Sequence, residues 1–418
     1  MFIFNPGRRA WQLAYAIPLF GFSVFSYALT FEQALNLAAS QAPEIRAQSA
    51  KMFSAKALVQ SAGQLPDPKL EVGIENLPIG GPDQYSLDQN DMTMRKIGVM
   101  QEFPNAGKRK AEVDAANADA RIASMQLQIT TLDALKGAAS AWIERDAVEH
   151  ELGLISAFRQ ANDLLGKAVH AKILSGKAPL SDGLIPRQES VTIDNLESAL
   201  LSRRLSAIAE LERWIGNAAQ EPLQGDVPEW PINQTVLSQA LPDHPQLMMF
   251  DYKNQKLDAE VNAAKADKTP DWGVEMAYQQ RAPQFGDMIS VQFTFALPVF
   301  PQSRQDPRIA ARIADKEALD DEHEAVSREQ KALLASDIAE YQRLQSTLKR
   351  QNDILLPLVD EKVGLILADW QAGKASLAAL ASARLERMQT ELQTIEIKSK
   401  LDLVAVRLHF ATMPGAMP

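Results

Sequence analysis

The sequence predicts a mostly α-helical chain with a small β portion: very long helical hairpins of the α-barrel or coiled-coil kind, plus four strands. Three observations carry that prediction. The chain repeats itself about 200 residues apart, it holds a proline-free stretch far longer than a compact domain accommodates, and it contains four short runs that alternate apolar and polar residues. The repeat weighs most, because each copy of a repeat is one structural unit that cannot bury its surfaces alone.

Landmarks recur in one order. Pro43 and Pro68 correspond to Pro245 and Pro270 at an offset of 202, Pro104 corresponds to Pro298 at 194, and GKAPL from Gly176 corresponds to GKASL from Gly373 at 197. The 418 residues therefore read as one elongated fold built of duplicated parts. The divisions are a signal segment at 1–28, a first repeat at 29–217, a linker at 218–242, a second repeat at 243–411 and a tail at 412–418.

The first segment has the pattern of a secretory signal. Arg8 and Arg9 precede a largely apolar run from Trp11 to Phe25, and Ser26-Tyr27-Ala28 supplies small residues for cleavage before Leu29. That run is short for a spanning helix, which takes about 20 apolar residues. No later stretch is long and apolar enough to be one, so any further membrane contact falls to strands.

The strands are predicted as hairpins at about 69–103 and 271–298. Leu70, Val72 and Ile74 alternate with Glu71, Gly73 and Glu75; Ile97, Val99 and Phe103 with Lys96, Gly98 and Glu102, interrupted at Met100 and Gln101. Trp272, Val274, Met276 and Tyr278 alternate with Gly273, Glu275, Ala277 and Gln279; Ile289, Val291, Phe293, Phe295 and Leu297 with Ser290, Gln292, Thr294 and Ala296. Period two puts the two sets on opposite faces. Such a pattern fits a soluble sheet with one wet face or a barrel wall between lipid and water. The flanking helices are too long to fold back over so short a sheet, and Trp272, Tyr278, Phe103 and Phe300 stand near strand ends where an interfacial belt wants aromatics. An open edge in lipid is not tolerated and single barrels start at about eight strands. Four strands must therefore be shared among copies, and three copies give a trimeric, 12-stranded transmembrane β-barrel.

Between Pro104 and Pro179 lie 74 residues rich in strong helix formers. At 1.5 Å per residue, a helix of some 65 residues spans roughly 100 Å. Ser181–Asn217, broken by Pro186, then Ile309–Trp370, kinked at Pro357, and Leu377–Phe410 repeat the design. Apolar residues at spacings of three and four (Ile122, Met125, Ile129, Leu132; Leu385, Met388, Leu392, Ile395) predict lateral helix contacts. Gly176 and Gly373 mark tips at about 175–181 and 371–377, where each helical pair reverses. The Pro-rich linker with Pro222, Pro228, Pro231 and Pro242 is expected to join Thr30–Ala42 in a belt around the middle.

Composition excludes several classes. With no cysteine there is no disulfide, thiolate metal site or acylated N-terminal cysteine. The net charge of −10, becoming −12 without the two signal arginines, disfavours nucleic acid. No HExxH, GxSxG, Walker or dinucleotide motif is present, so no catalytic residue and no cofactor are assigned. Met92 and Met94 beside Asp91 form the one soft-ligand pattern, and they are better read as strand-end filler. His150, His170, His244, His323 and His409 are scattered, so no metal site is assigned.

A signal, two halves of strand hairpin plus helical hairpin, and a Gly-containing turn at each tip together resemble the TolC family of outer-membrane efflux channels. LPDPKLEVGIENLPIGG from Leu65 and MTMRKIGVMQEFPNAGKR from Met92 resemble its heavy-metal branch, associated with resistance-nodulation-division (RND) pumps. The resemblance implies a homotrimer in outer-membrane lipid of a Gram-negative cell, a periplasmic α-barrel closed at its tips, and a periplasmic adaptor and inner-membrane RND pump as partners. It also implies an acidic residue six positions after each tip glycine. Asp182 stands six after Gly176, whereas Ala379 stands six after Gly373, with Asp369 four before that glycine as a substitute. Three copies of Asp182 at an aperture would favour cations; the other reading of Asp182 is a helix cap. Glu71, Glu75, Glu102 and Glu275 are expected to face the lumen. The expected function is a passive, gated exit duct of a tripartite efflux system for heavy-metal cations. The alternatives are a drug-efflux or type I secretion duct and a periplasmic coiled-coil scaffold without a pore.

Overall fold

The computed structural model describes residues 28–411, so the signal segment (1–27 of it) and the 412–418 tail lie outside the described residues. Two short helices, α1 (Phe31–Gln41) and α2 (Pro43–Ser61), lead into β1 (Lys69–Glu75) and β2 (Met94–Phe103). Helix α3 (Ala106–Leu174) and α4 (Ile185–Ile215) complete the first half. The second half runs through α5 (Gln234–Ala240), α6 (Pro245–Ala266), β3 (Asp271–Gln280), β4 (Met288–Ala296), α7 (Pro301–Arg350), α8 (Leu356–Gln371) and α9 (Leu377–Phe410).

The strands form one antiparallel sheet in the order β1-β2-β3-β4. The two hairpins thus join through β2 and β3, with Phe103 opposite Trp272 and Lys96 opposite Gln279. The register resolves the irregularity at Met100 and Gln101. Met100 is paired with Glu275 on the polar face and Gln101 with Val274 on the apolar one, where the Gln101 amide donates to the carbonyl oxygens of Pro66 (2.8 Å) and Glu102 (2.9 Å).

Helix α3 is 69 residues long, which at 1.5 Å per residue is roughly 100 Å. Its N-terminus is capped by Asn105, whose side-chain oxygen accepts from the Lys108 N–H at 3.0 Å. Asn105 also donates its backbone N–H to Asp271 (2.8 Å), and Lys108 bonds Asp271 (2.6 Å) and Asp267 (3.0 Å). That junction ties the start of α3 to the α6–β3 corner of the other half. Burial opposes the Lys108 charge, but the two aspartates outweigh it and raise its pKa.

Two expectations about proline need correction. Pro186 does not break α4 but sits in its first turn, where its missing N–H removes no helical bond. Helix α7 begins at Pro301 rather than Ile309 and carries Pro307 inside it; the carbonyl this orphans belongs to Ser303, which is exposed to water. Pro357 lies at the start of α8, directly after a π-turn at Gln351–Leu355. Widening the helix by one residue there accommodates the ring and the lost donor.

The main core is at the middle of α3. Phe31, Ala34 and Ala38 of α1 pack with Leu135, Ala138, Ala139 and Trp142 of α3, joined by Leu211 and Ile215 of α4 and Val406 and Phe410 of α9. Trp142 is fully buried, meets Phe31 edge-on at 5.5 Å, and donates its indole N–H to the Leu29 carbonyl at 3.3 Å. Gly137 is required here, because a Cβ would lie 2.3 Å from the Trp214 ring. The linker is pinned to the same place: buried Arg145 donates to the carbonyl oxygens of Ala219 (2.5 Å) and Glu221 (2.8 Å), and the Leu29 N–H donates to Pro222 (2.7 Å).

Candidate functional site: sheet face and helical tips

The sheet has two chemically distinct faces. Row by row across the strands, Leu70, Val99, Met276 and Val291 share one face, as do Val72, Ile97, Tyr278 and Ile289. At the helix-proximal end Phe103, Trp272 and Phe295 stand in one aromatic row, the first two stacked at 4.2 Å. No described helix covers this face: Val72 and Ile289 are each 73% exposed and Phe295 60%. A soluble sheet would bury such a surface.

The opposite face brings together the predicted carboxylates. Lys96 on β2 forms ion pairs with Glu71 (3.0 Å) and Glu75 (3.3 Å) of β1 and with Glu275 of β3, while Lys69 pairs with Glu102 at 2.5 Å. The Gln279 amide adds a hydrogen bond to Glu75 at 3.1 Å. The glutamates are thus partly neutralised by two lysines, and Lys96 links three adjacent strands. Sequence reading placed Lys96 on this face but missed its bridging role, because the partners lie on strands distant in the chain.

The tips are built by matching turns. In the first, the Lys177 N–H donates to the Lys172 carbonyl (2.8 Å) and the Gly176 N–H to Ile173 (3.0 Å); in the second, Lys374 donates to Asp369 (2.8 Å) and Gly373 to Trp370 (3.1 Å). This double bond pattern needs a left-handed residue after the helix, and Gly176 and Gly373 have φ of +71° and +76°. The two tips pack together through Leu165, Val169, Trp370, Leu377 and Leu380. The Lys172 ammonium lies 3.7 Å from the Trp370 ring centre and donates to the Trp370 carbonyl at 3.1 Å, a contact the sequence did not signal.

Asp182 lies in a short 3₁₀ turn, Leu180–Leu184, between α3 and α4. Neither that turn nor α4 has a side-chain cap, and the Asp182 carboxylate makes no hydrogen bond or ion pair among the described residues. Asp369 is exposed near the end of α8, and α9 is capped by Ser376. No group of three or more His, Asp or Glu residues suited to a metal ion occurs among the described residues. His150 approaches Asp146, His244 caps α6, and His323 and His409 stack on Phe250 and Trp230. Met92 is 58% exposed in the loop before β2. No described helix is long and apolar enough to cross a membrane.

No protein-family model and no curated protein matches the chain by sequence. Solved structures do match it. CusC, described in connection with folding and transmembrane channel formation, is 13% identical, with 98% of each chain covered and a TM-score of 0.77. The CmeC outer membrane channel of Campylobacter jejuni is 11% identical over 92% of this chain and 85% of its own, TM-score 0.77. The chain has the fold of these outer-membrane channels. The outer membrane protein VceC of Vibrio cholerae repeats the channel fold at 13% identity, over 92% of this chain and 95% of its own, TM-score 0.76. With 98% of the chain matched, the likeness to the channel fold takes in both the helical hairpins and the four-stranded sheet.

Proposed function

We propose that this chain is one third of a homotrimeric outer-membrane channel, a passive exit duct of a tripartite efflux system. The observation that carries the proposal is the sheet: one face is apolar and uncovered, and both outer edges, on β1 and β4, are unpaired among the described residues. In water that combination is unstable, and in lipid it requires closure. Strands β2, β3 and β4, of 10, 10 and 9 residues, match the 9 to 11 that cross a bilayer. Three copies supply twelve strands, with the apolar face toward lipid and the face bearing Glu71, Glu75, Glu102 and Glu275 toward the lumen. The roughly 100 Å helices then extend the duct into the periplasm, where a periplasmic adaptor and an inner-membrane RND pump engage the tips. The chain performs no catalysis in this role.

The cargo we assign is heavy-metal cations. Support comes from the two segments at Leu65 and Met92 that resemble the heavy-metal branch, and from carboxylates outnumbering lysines on the polar sheet face. Asp182 and Asp369 are the acidic groups placed at the tips, with Gly176 and Gly373 shaping the turns beneath them. Deleting the gene should lower tolerance to copper, silver, cobalt, zinc or cadmium while leaving tolerance to organic toxicants intact. The reverse pattern would assign the duct to drugs.

A further inference from the structure

We infer that a cavity beside the main core is a binding site for an aliphatic monocarboxylate, whose carboxylate is held by Lys136 and His244 and whose chain lies against the apolar walls. The inference goes beyond the channel reading and concerns a different part of the chain. The cavity has a volume of about 540 Å³ and lies where α3, the start of α6, α7 and the end of α9 converge. Small-ligand sites of such volume combine apolar walls with a few convergent polar groups.

Lys136 is a misfit in its surroundings. From Leu132 to Ile143 helix α3 is lined with buried residues, and its charged residues there are Asp133 and Lys136. Asp133 is exposed, whereas Lys136 is half-buried and its ammonium makes no hydrogen bond or ion pair among the described residues. Two carboxylates act on it from a distance. Asp133 stands in water, and Asp337 already accepts from Nε (3.0 Å) and Nη2 (2.8 Å) of Arg407. Together they do not offset the burial, which lowers the Lys136 pKa.

His244 supplies the second unmet group. It is 8% exposed, and its Nδ1 accepts from the Gln246 N–H at 3.3 Å. The neutral ring therefore carries its proton on Nε2, which has no partner among the described residues. Burial and the charge on Lys136 both hold the ring neutral at pH 7. The cavity thus offers one unpaired positive charge and one unpaired neutral donor. A carboxylate satisfies both, since it brings one negative charge and accepts two hydrogen bonds. Asp133 and Asp337 also line the space, which disfavours a second negative charge on the ligand. Leu132, Leu241, Met249 and Leu333 form the walls, with no aromatic ring among the lining residues, so the body of the ligand is aliphatic. A bare inorganic anion would leave those walls uncovered.

The test is isothermal titration of the full-length protein in lipid nanodiscs at pH 7, with empty nanodiscs as the blank. Octanoate should bind saturably, one per chain, whereas 1-octanol and inorganic phosphate should each bind at least about tenfold more weakly. Lys136→Met should weaken octanoate binding at least about tenfold. Its ligand-free melting midpoint should stay level or rise, because the change removes a desolvated, unpaired ammonium; a lysine needed only for the fold would lower it. A diazirine-bearing octanoate analogue should label the wild-type protein at the α6 and α7 residues lining the cavity, a readout that does not depend on the variant folding. Octanol binding as tightly as octanoate would leave a merely apolar cavity, and phosphate competing on equal terms would leave an unselective anion site. Absence of saturable octanoate binding, labelling confined to other elements, or unchanged affinity in a folded Lys136→Met would remove the site. Each of these results overturns the proposal, and none bears on the copy number or conductance by which the channel reading is judged.

Discussion

Two side chains carry most of the consequences at residue scale. Asp182 is free of cap bonds, so Asp182→Ala should weaken cation preference and block by multivalent cations without altering thermal stability; an unchanged single-channel record would remove it from the aperture. His244 caps α6 through Nδ1, which accepts from the Gln246 N–H at 3.3 Å. Burial, with Lys136 nearby, lowers its pKa from 6.5 to about 4. The folded state therefore binds fewer protons than the unfolded one between those values, and stability falls as pH drops through that window. The loss should reach about 1–3 kcal/mol by pH 4, and His244→Asn, which keeps an acceptor at the cap but does not titrate, should flatten the pH dependence of the melting midpoint. The tip glycines were legible because GKAPL and GKASL recur at an offset of 197, whereas Asp182 was singled out only through the resemblance to the TolC family. Lys96, Lys172 and Trp370 were not legible as partners, since their contacts join strands and tips far apart in the chain.

Among the elements, α3 is the spine on which the others are placed. Phe31 on α1 and Val406 on α9 share one buried cluster with Trp142 of α3, so Trp142→Ala should cost about 3–5 kcal/mol and lower the melting midpoint. A drop no larger than that of a surface substitution would show that α1 and the linker are held elsewhere. The extent of α3 was readable from the absence of proline and the density of helix formers. Strand faces were readable from period two, apart from Met100 and Gln101, where only pairing fixes the side. Proline was misread at Pro186 and at the start of α7, where its neighbours decide the outcome. At Pro186 a helix start absorbs what the sequence alone scores as a break, whereas Pro357 coincides with a local change of helix type, a π-turn at Gln351–Leu355.

The whole molecule is a repeat whose four-stranded sheet is one third of the barrel the proposed channel needs. Its helices bury Leu, Ala and Trp at mid-length and at the tips, yet the sheet leaves an apolar face bare and two edges unpaired. In the proposed channel closure belongs to the assembly, so the sequence announces it only as a deficit: four strands where single membrane barrels start at about eight. The most direct test is the conductance of the purified full-length protein in planar lipid bilayers, with the copy number of the same preparation taken by native mass. Three copies giving discrete, cation-preferring current steps is the predicted result; a single-copy protein that stays in solution and passes no current would contradict it.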